Sequence, residues 1–157
     1  MKHRISGRRL GRPTDQRLAL LQNLVTSLLW HGSVVTTPAR AKEARGMADK
    51  LITLAKQDTV HHRRLARRLL MPRTGLIRMK EGSHREAPAG GEAEKTAQAG
   101  RSPSSVDNSV HHLFQHVAPQ YQDRPGGYAR IVRLGSRRGD GVTRVKLQLV
   151  DYRPPED

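Results

Sequence analysis

Apolar side chains recur at intervals of three and four residues over three stretches in the first half of the chain, which predicts three amphipathic helices. The first begins near Thr14 and ends at Gly32. The second begins at Thr37, with Pro38 in its first turn. The third covers residues 60–71, with Asp58 or Thr59 as its cap, and stops at Pro72. A short β-branched run, SVVTT, lies between the first two helices and predicts a strand.

The second half combines one helix with a predicted hairpin. A helix is expected after Asp107 as its cap, with an apolar stripe in HHLFQHVA. A glycine turn then leads into a strand, and the basic turn SRRGDG separates it from VTRVKLQLV. Apolar and polar residues alternate in that last segment, so we expect Val145, Leu147 and Leu149 to face the core. Helices with a few strands, the last two forming a hairpin, indicate an α+β domain.

One stretch does not fit this pattern. From about residue 72 to 105 the chain is rich in Gly, Ala, Pro, Ser and Glu, and it has too little apolar surface to fold alone. The predicted organisation is a basic arm at 1–13, a single domain formed by 14–71 and 106–151, a low-complexity insert at 72–105 and a polar tail at 152–157. The arm carries too few apolar residues to bury a face, so we expect it to be extended.

The charge balance points to a polyanionic partner. Lysine and arginine total 29 against 14 acidic residues, a net charge of +15, which is costly in self-repulsion unless an anion offsets it. Most of the cations are arginine, whose planar fork matches phosphate oxygens. A membrane surface is the weaker alternative, because only Trp30 and Phe114 could serve as anchors besides the tyrosines. There is no cysteine and no apolar run long enough to span a bilayer.

The cations cluster in the arm, on two helices and in the hairpin turn, which favours nucleic acid over a merely solvated surface. In the third helix, Arg63 with Arg67 and Arg64 with Arg68 are like-charge i,i+4 pairs, which destabilise an isolated helix by roughly 0.2–0.5 kcal/mol each. An anion is therefore expected over them. Aromatic residues are only 3% of the chain, so recognition should rest on phosphates, sugars and shape, which suits folded RNA.

Other candidate sites are weaker. His112 and His116 form an i,i+4 pair, but they lack the acidic and cysteine ligands of a metal site, so no metal or cofactor is expected. The glycine pair before Tyr128 lacks the lysine of a phosphate loop and is interpreted as a backbone turn. Tyr128 itself could pack in the core or stack on RNA, and both alternatives stay open. No catalytic set can be placed on ordered elements, so an enzyme is not expected.

Specific motifs resemble those of a known family. The segment from residue 2 to residue 56, with KHRISGRRL, TT and AKEAR, is similar to the opening of bacterial-type large-subunit ribosomal protein seventeen. LFQHVAPQY, RPGGYARI and RRGD are similar to segments of its C-terminal half. Gln22 stands where that family usually has arginine, and the insert replaces a short connection. The resemblance covers the chain except for roughly 71–105 and the last few residues.

This resemblance implies an α+β fold with a small mixed sheet of three strands and a structural role on large-subunit ribosomal RNA, near the polypeptide exit and beside other ribosomal proteins. We expect a bacterial cytoplasmic ribosome or an organelle-encoded protein, with no cleavable presequence, no small-molecule substrate and no membrane. Rival hypotheses are a nucleoid or helix-turn-helix DNA-binding protein and a histidine-based metalloenzyme. The candidate RNA contacts are Lys2, His3, Arg4, Ser6, Arg8, Arg9, Arg12, Arg17, Arg40, Lys42, Arg45, Arg63, Arg64, Arg67, Tyr128, Arg130, Arg133, Arg137 and Arg138.

Overall fold

The structure is a computed structural model that describes residues 7–70 and 105–154. Helix α1 covers Thr14–His31 and ends at Gly32, whose φ of 68° is left-handed. A glycine adopts this conformation without steric cost, so the chain can reverse direction there. Strand β1, Ser33–Thr36, follows at once. The predicted end of the first helix and the strand after it are confirmed.

Helix α2 covers Pro38–Ala55, with Thr37 as the N-cap and proline in the first turn as predicted. Its buried stripe contains the small residues Ala41, Ala44 and Ala48, all without solvent exposure. Small side chains let neighbouring elements approach the helix axis closely, so α2 lies at the centre of the fold.

Helix α3 covers Val60–Leu69. The sequence left Asp58 and Thr59 open as its cap, and the structure selects Thr59, whose side chain accepts a hydrogen bond from the His62 amide at 3.3 Å. A cap of this kind satisfies one of the unpaired amides of the first turn. Helix α3 therefore begins directly after Thr59, whose hydroxyl accepts from an amide that has no carbonyl partner in the first turn.

Helix α4 covers Ser105–His112, so it begins two residues before the predicted cap, and that part of the prediction is wrong. It continues as a π-helical turn, Leu113–Val117, in which the Ala118 amide donates to the Leu113 carbonyl, and then as a short 3₁₀ helix, Ala118–Tyr121. The hydrogen bond of a π turn spans one more residue than that of an α-helix, which changes the direction of the side chains that follow.

Strands β2, Ala129–Ser136, and β3, Thr143–Leu149, form the predicted hairpin. The sheet order is β1-β3-β2, and both pairings are antiparallel. The α+β class and the three strands are confirmed, but the described sheet is antiparallel rather than mixed. The reason is topological: β3 turns back along β2 and lies between it and β1, so both of its neighbours run opposite to it.

One core joins the two described segments. It contains Leu28 from α1, Ile52 from α2, Val117 from the π turn and the inward residues of β3. The predicted inward face of β3 is confirmed, because Val145, Leu147 and Leu149 are all buried. Leu18 shares the helical spacing of the other apolar residues of α1, but it is 43% exposed. The N-terminal end of α1 extends beyond the core, so this apolar side chain remains in solvent.

Candidate nucleic-acid interface

The predicted cations that the structure describes are all exposed or half-buried, and they lie on separate elements rather than at one point. They occupy the arm (Arg8, Arg9, Arg12), the exposed sides of α1 and α2 (Arg17, Arg40, Lys42, Arg45), helix α3 (Arg63, Arg64, Arg67) and the hairpin (Arg130, Arg133, Arg137, Arg138). Lys2, His3, Arg4 and Ser6 lie outside the described residues. The site is therefore a distributed basic surface.

The described end of the arm is bent rather than extended. Its turn brings the Arg12 amide to 3.2 Å from the Arg9 carbonyl, and Leu10 and Gly11 have φ values of 55° and 63°. The bend is held by contacts to the helices, since Arg8 Nε lies 3.8 Å from a carboxylate oxygen of Glu43 on α2. The expectation of an extended arm is wrong for residues 7–12, because Leu10 packs against the core and polar contacts of Arg8 hold the turn beside it.

Arg63 is held by the protein itself. Its guanidinium donates to both carboxylate oxygens of Asp58, at 2.6 and 2.7 Å, and lies 5.1 Å from the centre of the Phe114 ring. The hydrogen bonds from Arg63 hold the pKa of Asp58 below its usual value. The Asp58 carboxylate therefore offsets part of the repulsion between Arg63 and Arg67 in α3.

The neighbouring pair of Arg64 and Arg68 has no carboxylate partner among the described residues, so it presents its charge to solvent.

The hairpin turn has a similar internal pair. Arg137 donates two hydrogen bonds to Asp140, one at 2.9 Å from Nε, and an Asp140 oxygen also accepts from the Val142 amide at 3.3 Å. The hydrogen bond from Arg137 is the main cause that lowers the pKa of Asp140 to about 2. Arg137 therefore orders the turn, while Arg138 at its tip has no ion-pair partner in the part of the chain that is described.

Tyr128 lies in the core and is removed from the candidate RNA contacts. It is 1% exposed, its ring meets the Tyr121 ring edge-on at 5.4 Å, and its hydroxyl donates to the Arg124 carbonyl at 3.3 Å. Its amide donates to an Asp49 oxygen at 3.1 Å. Of the two alternatives left open by the sequence, packing is correct, because the contacts to Asp49, Tyr121 and Arg124 hold this residue in the core.

Two clefts flank the base of the hairpin. One, about 380 Å³, lies between α2 and the inner sheet face and is lined by Pro38, Lys42, Ile131, Arg133, Thr143 and Val145. The other, about 190 Å³, is lined by Val35, Thr36, Thr37, Arg40, Arg137, Val142 and Arg144. Arg144 was missing from the sequence-based set. Its outward position in the alternating strand was the available signal, but only the fold places it beside Arg40.

The histidine pair forms a packing contact. His112 is buried, with its ring stacked on Trp30 at 4.1 Å and 21°, and the His116 ring lies 5.3 Å away. Within residues 7–70 and 105–154, no group of three potential metal ligands comes together. No helix in the same residues is both long and apolar enough to cross a membrane.

These features define a small, strongly basic α+β protein whose cations are spread over several surfaces. The sequence model of one family, described as ribosomal protein L17, matches residues 20–150. Curated proteins named large ribosomal subunit protein bL17 match over most of the chain. The one from Carboxydothermus hydrogenoformans is 42% identical over 142 residues, covering 90% of this chain and 96% of its own. The one from Dictyoglomus thermophilum is 40% identical over 150 residues, covering 96% of this chain and 100% of its own. The one from Clostridium botulinum strain Hall is 41% identical over 143 residues, covering 91% of this chain and 96% of its own.

The chain belongs to the ribosomal protein L17 family. The resemblance inferred from the motifs is therefore confirmed, and so is the expectation of a structural ribosomal component rather than an enzyme. The family match extends across residues 72–105, although the insert itself lies outside the described residues.

Proposed function

We propose that this protein is a structural constituent of the large ribosomal subunit that binds and stabilises folded ribosomal RNA through contacts between its cations and RNA phosphates. The observation that carries the proposal is the spread of solvent-facing cations over the arm, α2, α3 and the hairpin in a member of this family. Phosphate neutralisation releases counterions, and each neutralised phosphate adds to the affinity without reading a base sequence. Several basic surfaces on one rigid core can hold separate RNA segments in fixed relative positions.

The structure divides the candidate contacts into two groups. Arg63 and Arg137 donate to aspartates that are close to them in the chain, and Arg8 faces Glu43, so their charge is partly compensated before RNA binds. Arg9 and Arg12 have no side-chain partner among the described residues. We therefore assign the strongest arm contacts to Arg9 and Arg12 and a mainly ordering role to Arg137.

The resemblance supports a location near the polypeptide exit, beside other ribosomal proteins, and the bacterial sources of the relatives support a bacterial cytoplasmic ribosome. A density map of the assembled large subunit tests this location, and finding the chain elsewhere on the subunit would contradict it.

Co-sedimentation distinguishes the ribosomal hypothesis from the rival hypothesis of a DNA-binding protein. A ribosomal protein remains with the large subunit after DNase treatment, whereas a nucleoid protein is released.

Salt dependence tests the arm directly. The affinity of the purified chain for large-subunit ribosomal RNA should be measured over a range of salt for wild type and for Arg9→Gln with Arg12→Gln. Losing two phosphate contacts should make the slope of log affinity against log salt shallower by about 1.4–1.8. The matched control, Lys50→Gln with Arg153→Gln, removes two exposed cations outside the proposed contacts. Equal slopes for the arm variant and wild type would contradict the arm assignment.

A further inference from the structure

The larger cleft at the base of the hairpin has a composition that phosphate binding alone does not explain. Its volume is about 380 Å³, and it opens between the first turns of α2 and the inner face of β2 and β3. Lys42 and Arg133 provide its charge, and Thr143 provides a hydroxyl group. The remaining lining residues, Pro38, Ile131 and Val145, are apolar.

Arg133 occupies a position where the sheet pattern calls for an apolar residue. Its register partner on β3 is the buried Val145, and two residues earlier Ile131 pairs with the buried Leu147. Since alternate residues of a strand share a face, Arg133 belongs to the core-facing row. It is nevertheless exposed, because the hairpin extends past the helices that cover the rest of that face. A charged residue in such a row is favourable only if an anion or solvent satisfies it.

Lys42 and Arg133 bring two positive charges to the same cleft. The six lining residues include no carboxylate, and no ion pair joins either cation to a described residue. Two like charges at one cleft raise the free energy of the site, and an anion between them lowers it. Bare phosphate would leave the half-buried apolar side chains of Ile131 and Pro38 uncovered, whereas a group with both a phosphate and a flat ring would cover them.

We propose that this cleft binds a single nucleotide of RNA, with its phosphate held by Lys42 and Arg133 and its base or ribose packed on the half-buried Ile131 and Pro38. The volume lies within the range of about 300–1,000 Å³ that is usual for small-molecule pockets, and the lining combines apolar walls with a few polar groups in the same way. Unpaired bases in folded RNA are available for such contacts. This inference rests on the proposed function and adds to it one position at which the protein contacts a base or sugar.

The test uses the full chain with isotope-labelled methyl groups, titrated separately with adenosine monophosphate, adenosine and inorganic phosphate at constant ionic strength. The nucleotide should shift the methyl signals of Ile131 saturably, and phosphate or adenosine should bind more weakly. Lys42→Gln with Arg133→Gln should weaken nucleotide binding by about tenfold or more, the loss expected for charge-assisted hydrogen bonds. Lys50→Gln with Arg153→Gln, which removes the same charge elsewhere, should leave the methyl shifts unchanged.

Each outcome is decisive. Absence of saturable methyl shifts with the nucleotide in the wild-type chain overturns the inference, and this arm needs no variant to fold. Equal affinity for nucleotide and inorganic phosphate overturns it in favour of a phosphate site. If the wild type binds large-subunit ribosomal RNA while the nucleotide shifts nothing, the cleft inference alone fails. If it does not bind that RNA, the proposed function fails.

Discussion

Replacing Gly32 by alanine should destabilise the fold strongly, because two separate costs meet at this residue. Its φ of 68° is left-handed, and a side chain in that region costs about 1–2 kcal/mol. An added Cβ would also collide with the Tyr152 ring. Forcing a packed ring to move typically costs about 1–3 kcal/mol. The sum, about 2–5 kcal/mol, is a large part of the stability of a small domain, which is typically about 5–15 kcal/mol.

Urea unfolding followed by circular dichroism measures this loss, and Gly46→Ala is the matched control. Gly46 lies on the exposed side of α2 with nothing within 4 Å of an added Cβ, so the same substitution should stabilise the helix by about 0.5–1 kcal/mol. Repeating Gly32→Ala in a Tyr152→Ala background should reduce its cost to the backbone contribution. An unfolding midpoint for Gly32→Ala at or above the wild-type value would refute the reasoning, and equal losses in both backgrounds would refute the collision.

Two further predictions concern the aspartates that organise the hairpin and its entry. The hydrogen bond from Arg137 lowers the pKa of Asp140 to about 2 in the folded chain, against about 3.9 in an unfolded one. The contribution of Asp140 to stability is therefore fully present above about pH 4, and it is lost as the pH falls through about 2. A carboxyl-carbon titration should find that midpoint, and Arg137→Gln should return it toward 4; a wild-type midpoint near 4 would contradict the assignment. Asp49→Ala should cost about 1–3 kcal/mol in urea unfolding because it leaves the Tyr128 amide without its acceptor, whereas Asp49→Asn keeps an acceptor and should cost less. Equal losses for the two variants would show that this hydrogen bond is not the cause.

The elements that could be predicted are those specified by local chemistry. Pro38 after Thr37 fixes the start of α2, and Gly32 fixes the end of α1, because each supplies a backbone conformation that other residues adopt poorly. The alternation in β3 likewise follows from the two-residue period of a strand. In each case the signal lies within a few residues of its effect.

The parts that could not be predicted depend on contacts between distant segments. The π turn at Leu113–Val117 has the same apolar spacing as an α-helix in the sequence, and only the hydrogen bond from the Ala118 amide to the Leu113 carbonyl, five residues back, shows the difference. The inward orientation of Tyr128 depends on Asp49, which is 79 residues away along the chain. The strand order also places β1 beside β3, a pairing across more than a hundred residues that no local pattern encodes.

For the candidate site, residue types were predictable and their availability to a ligand was not. Counting arginines treats Arg63, Arg133 and Arg137 as equivalent, yet the first and third donate to aspartates a few residues away, and Arg133 does not. The sequence does contain part of this information, because an aspartate follows Arg137 at the third position within RRGD. No such cue marks Arg133. Only the strand register shows that Arg133 lies in the same row as the core-facing Ile131, at a point where the helices no longer cover the sheet. A charged residue in a core-facing row departs from the folding pattern, and such departures are expected at functional sites.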